Sequence, residues 1–148
     1  AMAWAALKTA GVQATAVRVT PGGCCHFEII ASIKKRAGEG KNALLALLSL
    51  GIVKWAIVTD DDVDITNQDE LDWAVTFCVQ ADKDIYILPG MRGKHLDPSV
   101  RAWELPKGEV PVTAKFGIDA TRPEGIDRIH YERPVVSRFA AVRADEYF

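Results

Sequence analysis

KWAIVTDDDVDITNQDELDWAVTFCVQADKDIYILPGMRGKHLDP, residues 54–98, joins an apolar strand, an acidic turn, a capped helix and a second strand in one run. Residues 55–59 are apolar and β-branched with no polar alternation, the pattern of a strand covered on both faces in a parallel sheet. Asp60, Asp61, Asp62 and Asp64 follow at once. Carboxylates so close together cannot all be desolvated, so the chain must reach the surface at the carboxyl end of that strand. Thr66 or Asn67 then reads as an N-cap, with Asp69 and Glu70 in the first helical turn, where negative charge complements the helix dipole. Leu71, Ala74, Val75, Phe77 and Cys78 fall on one stripe of that helix. Residues 80–84 form a polar connection into residues 85–88, a short strand that Pro89-Gly90 should stop. Strand, helix and strand with short connections predict a βαβ unit with a parallel pair.

Working outward, a helix is expected to about Ala10, stopped by Gly11, and then a strand over residues 14–19 with Ala14 and Ala16 inward. Pro21-Gly22-Gly23 turns the chain into a strand over residues 26–33. Residues 41–50 form a helix that is apolar on more than one face, which predicts cover from the sheet and again from another chain or domain. Beyond Leu88 the chain is punctuated by Pro and Gly, with a helix expected at residues 99–104 and a strand or short helix at 135–143. The whole, residues 1–148, reads as one α/β domain: a mainly parallel sheet flanked by helices. With 49% hydrophobic residues the chain can bury a core of its own, and a net charge of −2 offers no footprint for nucleic acid or an anionic membrane. No apolar run has the length of a membrane span, and residues 1–11 lack the basic start of a signal peptide. Cys24, Cys25 and Cys78 make neither a CxxC pair nor an even framework, so a cytoplasmic protein with reduced thiols is expected, the Cys24-Cys25 pair lying buried.

The candidates for chemistry are few. Asp60, Asp61, Asp62 and Asp64 form either a structural turn that holds backbone amides and basic side chains or a site for a divalent ion. An EF-hand is excluded, because Ile65 stands where that loop needs glycine and Leu71 where it needs the bidentate acid. Asp62-Val63-Asp64-Ile65-Thr66 matches the D-x-D-x-T of haloacid-dehalogenase-type phosphatases only superficially, since two further aspartates separate it from the strand. Lys94, His95 and Leu96 lie in the loop after residues 85–88, where ligands meet open α/β sheets. His26, His95 and His130 read as structural histidines, and Trp73 and Trp103 as packing residues. Residues 115–123 suggest a fixed irregular loop with a glycine at positive φ.

Four pieces, spread over residues 22–123, carry a resemblance. Gly22-Gly23-Cys24 leads into a strand ending in Ile33-Lys34-Lys35; a strand and aspartate run precede Glu70-Leu71-Asp72-Trp73-Ala74, an E-x-x-W-A core; residues 92–98 contain an LDP element; and Lys115 to Thr121 spell K-x-G-I-D-A-T. In this order they resemble the UbiD family of prenylated-flavin-dependent decarboxylases and carboxylases, and specifically its C-terminal domain. The resemblance implies reversible, non-oxidative decarboxylation or carboxylation of an aromatic or α,β-unsaturated acid. It also implies that prenylated FMN, with a divalent metal (Mn) and K, is held by a flavin-binding domain that has no counterpart in this sequence, as is the family's Glu-Arg-Glu network. No catalytic residue and no metal ligand are therefore assigned here, no cofactor is expected on this chain alone, and the chain alone is expected to be inactive. By the same resemblance Leu96 is a substrate-pocket wall with Lys94 its neighbour, while Lys115, Gly117 and Asp119 belong to a domain-contact loop. The implied partners are a flavin-binding domain or subunit, an aromatic acid substrate, and further copies of the chain through its apolar helix. Two alternatives stay open: a non-catalytic assembly subunit of a phenylphosphate carboxylase-like complex, and a metal-dependent hydrolase using Asp60, Asp62 and Asp64.

Overall fold

The computed structural model describes residues 1–132; the expectation for residues 135–143 lies outside them. The elements are α1 (Met2–Thr9), β1 (Ala14–Val19), β2 (Glu28–Ile33), α2 (Glu39–Leu48), β3 (Trp55–Asp60), α3 (Gln68–Phe77), α4 (Ala81–Asp84), β4 (Ile85–Arg92) and β5 (Val112–Ala120). Short 3-10 turns occupy Pro98–Val100, Ala102–Glu104 and Arg128–Tyr131. One five-stranded sheet runs in the order β1-β2-β3-β5-β4. Its centre is parallel, β2 with β3 and β3 with β5, and both edges are antiparallel. The mainly parallel α/β reading holds, but the βαβ unit is β2-α2-β3 and not β3-α3-β4. The connection through α4 delivers the chain opposite Ile118, near the carboxyl end of β5, and β4 then runs back toward the sheet's amino edge. The slot beside β3 goes to β5.

Several local expectations are corrected by the same geometry. Pro89-Gly90 does not stop β4; it makes a one-residue bulge between Leu88 and Met91, with Gly90 at φ +73°, and pairing resumes to Arg92. Proline is tolerated there because β4 is an edge strand. A second bulge, between Ala14 and Ala16, sends these two alanines to opposite faces of β1: Ala14 packs on the α2 side and Ala16 on the α3 side. The expected helix at 99–104 is two 3-10 turns broken at Arg101, which has φ +49°. Asn67 caps α3, its side-chain oxygen accepting from the Asp69 amide at 3.0 Å.

Two apolar layers hold the sheet. On one face Ala43, Leu44, Leu47 and Leu48 of α2 meet Ile29, Ala31, Ile33, Ala56 and Val58, all buried. A fully buried leucine of this kind contributes roughly 1.5–3 kcal/mol. The second cover of α2 comes from this chain itself: Ala3 and Leu7 of α1 join the same cluster, leaving Leu45 exposed. On the other face Leu71 and Ala74 of α3 pack with Ile30, Ile57, Val63, Ile65 and Ala120. Phe77 lies off that interface, exposed and tilted against Trp73, and Trp103 is exposed as well.

Candidate functional site

The carboxyl edge of β3 and β5 carries the acidic turn. Arg122, two residues beyond β5, is 14% exposed and reaches into it: Nη1 donates to Asp62 Oδ1 at 2.8 Å and Nη2 to Asp62 Oδ2 at 2.7 Å, with Asp60 Oδ2 at 3.3 Å from Nη1. The Arg122 backbone amide also donates to Asp60 Oδ2 at 2.8 Å, and Arg128 adds a contact to Asp62 at 3.0 Å. Lys35 donates to the Arg122 carbonyl at 2.7 Å, and Trp73 stacks beneath the guanidinium at 5.8 Å. Burial pushes the Asp60 carboxyl above its ordinary value, against the pull of Arg122, whereas the Arg122 hydrogen bonds hold Asp62 below its own. Asp64 turns away: Oδ1 accepts from the Thr66 amide and hydroxyl, and its own amide donates to Glu70. Asp61 is exposed. Among the described residues no three His, Cys, Asp or Glu side chains are placed to hold a metal ion.

Lys115, Gly117 and Asp119 do not lie in a loop. They belong to β5, in the middle of the sheet, all pointing to the α2 face. No positive φ is needed at Gly117; the glycine suits the close approach of α2, since a Cβ would stand 3.0 Å from Leu44 Cδ2 and 3.1 Å from Leu48 Cδ1 and crowd both. Lys115 is 2% exposed and donates to the carbonyls of Leu48 at 2.8 Å and Leu50 at 2.7 Å; the first is an acceptor left open at the end of α2, and the second also takes the Val53 amide. Burial lowers its ammonium below the ordinary lysine value, and the nearby charge of Lys94 adds to this. Asp119 accepts from the Thr121 amide and hydroxyl and fills the space above Gly40 at the start of α2.

Lys94 and Leu96 are found at the other end of the sheet from the acidic turn. Because β4 is antiparallel to β5, the loop after it lies at the amino edge of β3 and β5, so the expected position at the carboxyl edge is corrected. The loop is pinned from below. Lys54, immediately before β3, donates to Asp97 Oδ1 at 3.0 Å and to Ser99 Oγ, and the buried Asp97 also caps Pro98–Val100 through the Ser99 amide. Burial alone would raise Asp97, but these hydrogen bonds outweigh it and leave the carboxyl below its ordinary value. The Gly93 amide donates to the Pro111 carbonyl at 2.7 Å, and His95 Nε2 meets the Glu109 carbonyl at 3.1 Å. Held this way, Leu96 is 75% exposed. Sequence reasoning missed Lys54 and Arg122 as partners, since each acts on a carboxylate 43 or 62 positions away. It also missed the open apolar ground near this edge, where Trp55 and Phe116 stack at 5.2 Å beside the exposed Ile87 and Val112.

A flavin phosphate and its metal ions find no fit in these residues. The start of α2 is filled by the Asp119 carboxylate, Lys35 is engaged with the Arg122 carbonyl, and Arg122 is engaged with Asp60 and Asp62.

Residues 1–120 match the sequence model of the 3-octaprenyl-4-hydroxybenzoate carboxy-lyase C-terminal domain. The anhydromevalonate phosphate decarboxylase of Archaeoglobus fulgidus is 38% identical over 118 residues, which is 76% of this chain and 26% of that protein. The phenolic acid decarboxylase of Escherichia coli O157:H7 is 39% identical, over 72% of this chain and 22% of its own length. The UbiD-class enzyme HmfF of Pelotomaculum thermopropionicum, solved with FMN, superposes with a TM-score of 0.80 at 31% identity, covering 99% of this chain and 32% of that one. An evolved dimeric form of HmfF was solved with prFMN. The chain thus spans about a quarter of the length of the curated relatives it matches.

Proposed function

Because the chain belongs to the UbiD carboxy-lyase family, matching its C-terminal domain, we propose that it is the pocket-closing and assembling part of an enzyme that decarboxylates, or in reverse carboxylates, an aromatic or α,β-unsaturated acid. The prenylated flavin, with its metal ions, supplies the bond-breaking chemistry from the part of the enzyme that relatives carry outside this domain. What this chain supplies is a wall. The observation that carries the reading is Leu96: an apolar side chain, 75% exposed, is displayed on a loop that a partly buried ion pair and contacts to the Pro111 and Glu109 carbonyls keep from folding away. Such a side chain contributes nothing to the stability of the lone domain, and it suits a surface that closes over a substrate and expels water. Lys94, two positions earlier, places a cation beside that wall, where a carboxylate substrate would meet it. The exposed Ile87, Val112 and Phe116 near this edge support the same docking sense.

The test is Leu96→Ala in the enzyme assembled with its flavin-binding part. Folding should be untouched, since the side chain is exposed, while kcat/KM should fall by about tenfold or more, as expected for an apolar pocket contact of roughly 1–3 kcal/mol. Unchanged kcat/KM with bound flavin would remove Leu96 from the pocket.

A further inference from the structure

The turn between β1 and β2 places two cysteines side by side, and both are exposed, contrary to the burial expected from their neighbours. Cys24 has φ +50° and Cys25 φ +60°, a left-handed conformation that costs an ordinary L-residue roughly 1–2 kcal/mol. Gly22 and Gly23 stand immediately before them and do not take up that conformation. The strained pair is held by its surroundings: the Cys24 amide donates to the Pro21 carbonyl at 3.0 Å, that of Cys25 to Thr20 at 2.9 Å, and that of Phe27 to Gly23 at 2.9 Å. Below them the Thr20 hydroxyl donates to Glu28 and accepts from the Gly23 amide at 3.1 Å. The third cysteine, Cys78, is buried on α3's inner side and takes no part.

Two exposed cysteines adjacent in sequence on a fixed turn have the makings of a bidentate ligand. Consecutive Cα atoms are about 3.8 Å apart, closer than the span a disulfide normally bridges, so direct closure of Cys24 on Cys25 is disfavoured. Inserting one atom between the sulfurs relaxes that constraint. We propose that Cys24 and Cys25 form a chelating site for a thiophilic centre, of which a trivalent arsenical is the defining case. With an organoarsenic oxide, two S–H bonds break, two As–S bonds form, the oxo oxygen leaves as water with both protons, and arsenic remains trivalent. The two amides fixed to Pro21 and Thr20 hold the backbone of both cysteines, so only the side-chain torsions remain to be set for the second bond, which lowers its entropic cost.

The position matters as much as the chemistry. Phe27, at the end of this turn, accepts from the Lys54 and Trp55 amides at 2.8 and 3.0 Å, and it lines one crevice with Lys94 and Asp97. The dithiol turn and the Leu96 loop therefore flank the same edge of the sheet. Resting on the reading above, a ligand on the pair would stand at the seam with the flavin-binding part and hinder closure.

Phenylarsine oxide added to the reduced chain tests the site itself. Thiol titration of the native protein should find two reactive thiols before and none after one equivalent, and three in denaturant without the arsenical. Cys24→Ser and Cys25→Ser should each weaken arsenical binding by at least 100-fold, the usual gain from a second intramolecular bond. Cys78→Ser should change nothing in the native titration. Two thiols that remain reactive after one equivalent, or single variants that bind as tightly as the parent, would overturn the site. Inhibition of the assembled enzyme by the arsenical, absent in Cys24→Ser, tests the seam separately. A stoichiometric arsenical complex that leaves turnover intact would keep the site and reject its placement at the closure.

Discussion

Replacing Arg122 by Met removes the cation that the two aspartates of the acidic turn share while retaining most of the side chain's apolar stem over Trp73. Arg122 and Asp60 are each only 14% exposed, which places their contact near the buried regime, where breaking one partner costs about 3–5 kcal/mol. Asp62 is 38% exposed, so its share is screened and falls toward the 0–1 kcal/mol of surface pairs. The backbone amide of residue 122 still donates to Asp60, which trims the loss further. A destabilisation of about 2 kcal/mol follows, or a drop of about 1 M in the urea midpoint for a denaturant slope of roughly 2 kcal/mol/M. The pH dependence is the sharper part. Asp62, depressed by Arg122, contributes stability that is present above its unfolded value and lost as pH falls through its folded one. Asp60, raised by burial, does the reverse: its charge opposes folding at neutral pH, and that penalty vanishes on acidification. Without Arg122 the benefit at Asp62 disappears and the penalty at Asp60 grows, so the variant's deficit should be largest near pH 7 and shrink below about pH 4, where both carboxylates take up protons. Urea unfolding followed by circular dichroism at both pH values measures this. An equal midpoint loss at acid and neutral pH would refute the electrostatic reasoning and leave only packing.

Lys115→Met strands the Leu48 carbonyl at the end of α2, while that of Leu50 keeps the Val53 amide, and should cost about 1–3 kcal/mol in urea unfolding. Since burial lowers the wild-type ammonium, the unfolded chain binds the proton more tightly. Parent stability should therefore climb as pH rises between the folded and unfolded lysine values, a slope the variant lacks. Gly40→Ala sets a methyl onto the Asp119 carboxylate and should lower the thermal midpoint by several degrees, with Asp119→Ala relieving most of the added cost in a double-mutant cycle.

Where an element declares itself through contiguous residues, the sequence was readable. The apolar run of β3, the capping asparagine before α3 and the glycine after α1 each act within a few positions. Sheet order does not. The place beside β3 is settled by pairing with residues 112–120, some sixty positions away, and nothing in residues 85–88 records that β5 will take it. β5 itself was obscured by its chemistry: a lysine, a glycine and an aspartate on one face look like loop residues until α2 is set over them. Each then answers a particular need, the carbonyls at α2's end, the crowding by Leu44 and Leu48, and the space above Gly40. The acidic turn was visible as charge, but its partner Arg122 was not. Charge pairing across 62 positions leaves no local pattern. Lys94 and Leu96 were found in a loop, at the wrong end of the sheet, because the end follows from strand direction and that direction was inferred from the βαβ assumption.

The central claim is that the reactive centre lies outside this chain. Mixing the purified chain with prenylated FMN and a panel of aromatic and α,β-unsaturated acids, and measuring flavin retention and carbon dioxide release together, tests it most directly. The account predicts that gel filtration strips the flavin and no carbon dioxide forms; retained flavin with turnover would contradict it.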